Sequence, residues 1–177
     1  MKNLPNIITS FRFLLIPSFV YVYFSSSPNN LRNAFIIFIV AGISDVLDGM
    51  IARKYNLVTK LGTVLDPLAD KLMLMTVLLC LTYTGSITHW VPIIVGIKEF
   101  IMIAGAIYLY FSGEKAVIPS DKFGKIATVL FYAAISVIVF DINLALSKGV
   151  MLAAVVVTML AFINYLRIYM DMKKTSN

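Results

Sequence analysis

The sequence predicts an all-α integral membrane protein, a bundle of six transmembrane helices with a polar cavity facing the cytoplasm. Three observations support this prediction. Of the 177 residues, 60% are hydrophobic and only 14% are charged, a balance unlike that of a soluble domain of this size. The apolar runs have the length of about 20 residues that a helix needs to cross a bilayer. Four of the nine acidic residues fall in one window, residues 44–71, between two such runs.

The first three apolar segments are separated by turn-forming or polar residues. Residues 7–24 form the first predicted span, and the sequence SSSPNN at 25–30 ends it, because proline and asparagine favour turns. The second span covers residues 31–52. A short polar link at 53–60 separates it from the third span, residues 61–83.

The second half of the chain adds three more predicted spans. A turn at 85–89 precedes the fourth, residues 91–111. The longest polar segment, residues 113–125, separates it from the fifth, which runs to about Val139. The sixth covers residues 149–169. With six spans, both termini lie on the same side of the membrane.

The basic residues predict the orientation in the cell membrane. Lysine and arginine near the ends of spans concentrate on the cytoplasmic side. The side away from the termini holds only Arg32 and Lys148. The side of the termini holds nine: Lys2, Arg53, Lys54, Lys60, Lys115, Lys122, Lys125, Lys173 and Lys174. We therefore expect both termini and the acidic window at the cytoplasmic face. By length we expect one domain, 1–177, and we expect no nucleic-acid partner.

The acidic window places its carboxylates in pairs at helical spacing. Asp45 and Asp48 are three residues apart, and Asp66 and Asp70 are four apart, so each pair shares one face of a helix. A single aspartate at the bilayer centre costs about 2.5–3.5 kcal/mol, so four of them need a polar site and neutralising charges. Oxygen ligands favour magnesium, manganese or calcium. Two such ions about 4 Å apart commonly assist displacement at phosphorus.

The residues around the aspartates complete a known signature. Asp45-x-x-Asp48-Gly49-x-x-Ala52-Arg53, eight further residues, and then Gly62-x-x-x-Asp66-x-x-x-Asp70 resembles the signature of the CDP-alcohol phosphotransferase family, with all eight positions filled. Pro5-Asn6-x-x-Thr9-x-x-Arg12 resembles the first segment of the same family. Within the family, the chain is most similar to bacterial phosphatidylglycerophosphate synthases.

The resemblance implies a metal-dependent phosphatidyltransferase that uses CDP-diacylglycerol and a hydroxyl-bearing acceptor. It implies that Asp45, Asp48 and Asp66 bind metal and that Asp70 is both a ligand and the general base. Two Mg²⁺ ions are expected, with Mn²⁺ as a possible substitute. A homodimer in the lipid membrane is also implied. The residues expected to bind the CDP-lipid are Asn6, Thr9, Gly49, Ala52, Arg53, Thr59 and Gly62.

Two kinds of residue in that set have a physical reason to be there. The small residues let the nucleotide approach the backbone closely, although small residues also serve helix packing in membranes. Arg53 can pair with a diphosphate, or it can be an ordinary cytoplasmic charge.

The acceptor is left open between two molecules. The candidate acceptor-binding cations are Arg12, Lys98, Lys122 and Lys125. They suit an anionic acceptor, and the resemblance implies glycerol 3-phosphate, which gives phosphatidylglycerophosphate and CMP. However, phosphatidylglycerophosphate synthases typically carry Arg-Glu and then a second arginine in the fourth span, whereas this chain has Lys98-Glu99 and no arginine after it in that span. They also tend to have a further lysine where this chain has Ala127. The alternative is a cardiolipin synthase of the same family, which uses phosphatidylglycerol as acceptor.

Each candidate cation also has a structural interpretation. Arg12 is a charge within the first span, so it needs a partner, an aqueous cavity or a path to the interface. Lys98 could be neutralised in a structural ion pair with Glu99. Lys122 and Lys125 could be ordinary cytoplasmic charges.

Two other classes of protein fit the sequence less well. A membrane prenyltransferase also gathers aspartates around magnesium, but it would need more than six spans and gives no reason for Gly49, Ala52 and Arg53 together. A divalent-cation channel or carrier would place acidic groups near the middle of the membrane, whereas these lie towards one face.

Overall fold

The computed structural model describes residues 4–54, 60–111 and 122–175, which form six helices and the turns between them. Side chains are described for residues 10–47, 50, 68–105 and 122–170. The helices are α1 Leu4–Tyr23, α2 Asn30–Lys54, α3 Lys60–Tyr83, α4 Trp90–Phe111, α5 Lys122–Val139 and α6 Leu144–Thr175. The described ranges contain no strand, which confirms the predicted all-α class.

The helices follow the predicted spans but extend beyond several of them. Helix α6 begins at Leu144, five residues before the predicted span. The side chain of Asn143 explains this start, because its Oδ1 accepts a hydrogen bond from the Leu146 N–H at 3.0 Å, as an N-cap residue does. Helix α5 begins at Lys122, inside the predicted polar segment 113–125. Polarity marks the edge of a span, whereas the backbone hydrogen bonds continue past it.

Two helices end in the same way, with a residue in the left-handed conformation. After α3, Gly85 has φ +74°, and the Ser86 N–H bonds to the Leu81 carbonyl at 2.8 Å. After α5, Asp141 has φ +47°, and the Ile142 N–H bonds to the Val137 carbonyl at 3.2 Å. Both are Schellman endings, in which such a residue lets the turn satisfy the last carbonyls of the helix.

The chain divides into two compact units, Met1–Ser86 and Ile87–Asn177. In the first unit, α1 packs against both α2 and α3, and α2 also contacts α3. Ala34 of α2 and Ala69 of α3 are fully buried. Such small side chains let helix backbones come close together, which is how helices pack in membranes. The single domain predicted from chain length stays a prediction.

Hydrogen bonds join the ends of helices at one end of the first unit. The Tyr23 hydroxyl is hydrogen-bonded to Thr84 Oγ1 at 2.8 Å. The Asn30 side-chain amide donates to the Tyr23 carbonyl at 2.8 Å, and its Oδ1 accepts from the Leu31 N–H at 2.7 Å. These contacts fix the end of α1 beside the start of α2 and the end of α3.

In the second unit, α6 packs along α5 and also contacts α4. Ala134 of α5 and Ala154 of α6 are fully buried. Gly105 of α4 faces Tyr165 of α6, since a Cβ atom at Gly105 would lie 3.2 Å from the Tyr165 hydroxyl. Small residues therefore set the helix spacing in this unit too.

Within the described residues, three helices have a segment that is long and apolar enough to cross a membrane. These segments are Asn30–Leu47, Lys122–Val139 and Leu144–Met170. Large apolar side chains such as Leu14, Phe100 and Val129 are exposed, as expected where lipid replaces water as the solvent. Six spans, their orientation and the cytoplasmic cavity stay predictions.

Candidate active site

The first predicted metal ligand, Asp45, lies on α2 and is paired with Arg12 of α1. The Arg12 Nη1 and Asp45 Oδ1 atoms are 2.9 Å apart. The Arg12 side chain is only 1% exposed, whereas that of Asp45 is 39% exposed. The guanidinium is therefore enclosed by the packing of α1 in the first unit, and the carboxylate stands at the edge of that packing.

The pairing of Arg12 with Asp45 has a clear electrostatic reason. An arginine that is removed from water keeps its charge, because a guanidinium does not release its proton inside a protein. A buried charge is tolerated when an opposite charge and hydrogen bonds replace the lost water. The Asp45 carboxylate supplies such a charge within hydrogen-bond distance. This ion pair links α1 to α2 and offsets part of the cost of burying the guanidinium.

Asp70, predicted to be both a metal ligand and the general base, lies on α3 and is half-buried. The preceding residue, Ala69, is fully buried, and Met73 one turn later is also buried. Asp70 therefore stands at the border of the core-facing side of α3. Since α2 and α3 contact each other, the helices that carry Asp45 and Asp70 are neighbours in one unit.

Asp48 and Asp66 are described only as positions in helices. Asp48 lies in α2 and Asp66 in α3. Because both helices are continuous, the spacings of three and four residues do place each predicted pair of positions on one helical face. The side chains of Asp48 and Asp66 lie outside the described part of the structure.

The predicted CDP-lipid site also falls outside the described side chains. Thr59 lies in the segment 55–59, of which nothing is described. The other predicted members of this site are helical residues whose side chains are not described: Asn6, Thr9, Gly49, Ala52, Arg53 and Gly62. Their assignment to the nucleotide stays a prediction.

Among the candidate acceptor-binding residues, Lys98 has a clear partner in its own helix. Its Nζ lies 2.5 Å from Oε1 of Glu99, and the two side chains are 13% and 19% exposed. Adjacent residues point in different directions around a helix, so the lysine side chain bends to reach its neighbour. This is the structural ion pair that the sequence allowed as an alternative for Lys98.

The two remaining acceptor candidates, Lys122 and Lys125, are exposed in the first turns of α5. The first turn of this helix contains no acidic residue. Lysines at this end of a helix are repelled by the partial positive charge of the N-terminal N–H groups. Exposure is what an anion-binding lysine needs, and an ordinary cytoplasmic charge would show it equally, so the role of both lysines stays a prediction.

Comparison with known proteins decides the family. The sequence pattern of the CDP-alcohol phosphatidyltransferase family matches residues 2–160. The chain belongs to this family. Every described candidate residue, from Arg12 to Lys125, lies inside the matched segment.

Individual relatives of this phosphatidyltransferase cover most of its length. The CDP-diacylglycerol–glycerol-3-phosphate 3-phosphatidyltransferase of Rickettsia typhi is 31% identical over 149 residues, 84% of this chain and 80% of the relative. A Mycobacterium tuberculosis protein named as a probable phosphatidylglycerophosphate synthase is 30% identical over 172 residues, 93% of this chain and 80% of the relative. A Mycobacterium bovis protein named as a candidate cardiolipin synthase is 34% identical over 129 residues, 73% of this chain and 60% of the relative.

The family generally depends on a divalent metal. Among the described residues, no group of three histidine, cysteine, aspartate or glutamate side chains forms a metal site, but two of the four predicted ligands are described and have suitable chemistry. Asp45 and Asp70 offer carboxylate oxygens, the hard donors that magnesium and manganese prefer. They are on neighbouring helices. The Asp45 carboxylate is 39% exposed, and its bond to Arg12 is made through Oδ1. One carboxylate can therefore serve both the arginine and a cation.

The sequence did not reveal that Arg12 is bonded to Asp45. It identified Arg12 as a charge in a membrane span that needs a partner, an aqueous cavity or a path to the membrane interface, and it named the acceptor as the candidate partner. The relevant signal was the charge itself, because an arginine in an apolar run calls for a nearby acid. Only the packing of α1 on α2 selects Asp45. The predicted contact of Arg12 with the acceptor stays a prediction.

Proposed function

We propose that this phosphatidyltransferase moves the phosphatidyl group of CDP-diacylglycerol to a hydroxyl of glycerol 3-phosphate, releasing CMP. The product is phosphatidylglycerophosphate, a precursor in phospholipid synthesis. The observation that carries the proposal is the placement of Asp45 and Asp70 on neighbouring helices within the segment that matches the family. The choice of substrates is supported by relatives such as the Rickettsia typhi enzyme, whose name contains both.

In the proposed site, four carboxylates would hold two Mg²⁺ ions: those of Asp45, Asp48, Asp66 and Asp70. Mn²⁺ has similar ligand preferences and would be a substitute. When bound, the ions supply positive charge that stabilises the diphosphate and the departing CMP. The other steps depend on the protein side chains.

Asp70 would act as the general base for the acceptor. Its carboxylate accepts the proton of the attacking hydroxyl, and the oxygen forms a bond to the phosphorus on the lipid side of the diphosphate. The bond from that phosphorus to the CMP oxygen breaks, and CMP leaves with the electron pair. General bases of this kind contribute about 10²–10⁴-fold to a rate.

The CDP-lipid would be held by residues of α1, α2, the link and the start of α3. Arg53 would pair with the diphosphate, and Gly49, Ala52 and Gly62 would let the nucleotide approach the backbone. Asn6, Thr9 and Thr59 would offer hydrogen bonds. This assignment is supported by the match of residues 2–160 to the family.

We further propose six membrane spans, with both termini and a polar active-site cavity on the cytoplasmic side, and a homodimer in the membrane. The excess of lysine and arginine on the side of the termini supports this orientation. The three described membrane-length helices support the placement in a membrane. A cytoplasmic site would be supplied with magnesium and with a soluble acceptor.

A cardiolipin synthase that uses phosphatidylglycerol is the second candidate. It is favoured by the internal pairing of Lys98 with Glu99, because this pair removes one cation that an anionic acceptor would use. The Mycobacterium bovis relative is named accordingly. Lys122 and Lys125 favour glycerol 3-phosphate instead, since both are exposed.

The deciding experiment offers the purified protein CDP-diacylglycerol and Mg²⁺ with either glycerol 3-phosphate or phosphatidylglycerol. Mass spectrometry then identifies the lipid product, and CMP release is measured in parallel. We expect phosphatidylglycerophosphate with the first acceptor and no cardiolipin with the second. Cardiolipin alone would establish the second candidate. Absence of CMP in both reactions would exclude both activities.

A further inference from the structure

We infer that Arg12 is a positioning residue of the metal centre, which holds the Asp45 carboxylate through Oδ1 and leaves Oδ2 to the divalent cation. This inference rests on the proposed function, in which Asp45 is a metal ligand. Its basis is the 2.9 Å contact between Arg12 Nη1 and Asp45 Oδ1, together with the contrast in exposure between the two side chains.

The burial of Arg12 makes it suited to fixing another group. Its side chain is 1% exposed, so the packing around α1 restricts the guanidinium to one place. A guanidinium is planar and donates along fixed directions, unlike the mobile ammonium of lysine. A carboxylate bonded to it loses much of its rotational freedom. Asp45 is thereby oriented before any cation binds.

The exposed part of the Asp45 carboxylate is the part that a cation can reach. With 39% of the side chain exposed and the arginine bond made at Oδ1, the second oxygen is left for a ligand that arrives from outside the packed helices. Carboxylates that bind metals are commonly fixed in this way by a second hydrogen-bonding group, and loss of that group lowers metal affinity about 10–100-fold.

Burial also argues against direct binding of the acceptor by Arg12. A guanidinium that is 1% exposed presents almost no surface to a soluble anion. To reach one, it would have to leave the helix interface and give up its contact with Asp45. The structure thus places Arg12 behind the metal ligand, where it acts through Asp45.

The test measures Mn²⁺ binding to the full-length purified protein by electron paramagnetic resonance, without substrates. Arg12→Gln is expected to weaken Mn²⁺ binding about 10–100-fold. Arg12→Lys, which keeps the charge but not the planar geometry, is expected to fall between this variant and the wild type. Arg32→Gln is the matched control, because Arg32 is exposed on α2, and it is expected to bind Mn²⁺ as the wild type does.

A second arm asks whether Arg12 acts through Asp45. In an Asp45→Asn background, Arg12→Gln is expected to weaken residual Mn²⁺ binding no further. In EDTA, Asp45→Asn should lower the unfolding temperature, because it removes a carboxylate from a buried guanidinium, and Arg12→Gln should then recover part of the loss. If Arg12→Gln does not fold, Arg12→Lys takes its place in both arms, with a smaller expected effect.

Three results would overturn the inference while leaving the proposed metal centre in place. The first is Mn²⁺ binding by Arg12→Gln that is unchanged or tighter than in the wild type. Tighter binding would mean that Arg12 competes with the cation for the Asp45 carboxylate. The second is an equal loss in the Asp45→Asn background. The third is a raised KM for glycerol 3-phosphate with unchanged Mn²⁺ affinity, which would make Arg12 an acceptor residue. If the wild type itself binds no Mn²⁺, the proposed metal centre fails, and the inference fails with it.

Discussion

Asp70 is the residue to which the proposed chemistry assigns two tasks, metal binding and proton transfer. Replacing it by asparagine keeps its size but removes the charge and the basicity. We expect Asp70→Asn to lower the rate of CMP release by at least about 10²-fold, the smaller end of the contribution of a general base. The measurement is CMP formation with CDP-diacylglycerol and glycerol 3-phosphate at saturating Mg²⁺.

Asp141→Asn is the matched control for this substitution. Asp141 lies in the exposed turn after α5 and has a left-handed backbone, a conformation that asparagine also tolerates. This variant should keep the wild-type rate. Wild-type turnover in Asp70→Asn would remove Asp70 from the role of base, provided that the variant elutes as a folded protein.

At the same scale, Lys98 shows how the structure supplies a partner that the sequence only allowed, while its predicted contact with the acceptor stays a prediction. The sequence allowed two roles for it, and both satisfy the rule that a charge in a membrane span needs a partner. The structure supplies one partner, Glu99, at 2.5 Å. Local sequence could name this neighbour, but it could not exclude an external anion as the partner.

At the scale of elements, the Schellman ending of α3 depends on Gly85. Its φ is +74°, and no heavy atom lies within 4 Å of the place that a Cβ atom would occupy, so an alanine here would meet backbone strain and no steric clash. We expect Gly85→Ala to lower the free energy of unfolding by about 1–2 kcal/mol. The measurement is the denaturation midpoint in detergent.

Gly149→Ala tests the same chemical change without that strain. Gly149 lies inside α6, also in open space. There alanine should be neutral or stabilise by up to about 1 kcal/mol, because it favours the helix more than glycine does. Equal effects of the two substitutions would contradict the assigned role of the left-handed turn.

Hydropathy predicted where the helices lie along the chain but not the residues at which they begin. The apolar pattern predicted the order of the six helices of the described residues, since a helix was expected wherever a run of apolar residues is long enough for a membrane. It misplaced the start of α6, because Asn143 begins that helix through a hydrogen bond. Caps follow from side-chain geometry, which a hydropathy pattern does not contain.

At the scale of the whole molecule, six spans predict opposite labelling of two introduced cysteines. Cys80 is the only cysteine in the sequence and is buried, so background labelling should be low. A membrane-impermeant maleimide should label Ser27→Cys, in the turn between α1 and α2, on intact cells. It should label Ser176→Cys, near the C-terminus, only after permeabilisation. The reverse pattern would invert the proposed orientation.

The sequence by itself determined the helical class, the order of the helices and the four aspartates of the proposed site. These properties are local, because hydrophobic runs and spacings of three or four residues act within one helix. Only the tertiary structure decided that Arg12 meets Asp45. Contacts between helices depend on the rotation and depth of each helix in the bundle, and those are set by the packing of many side chains together.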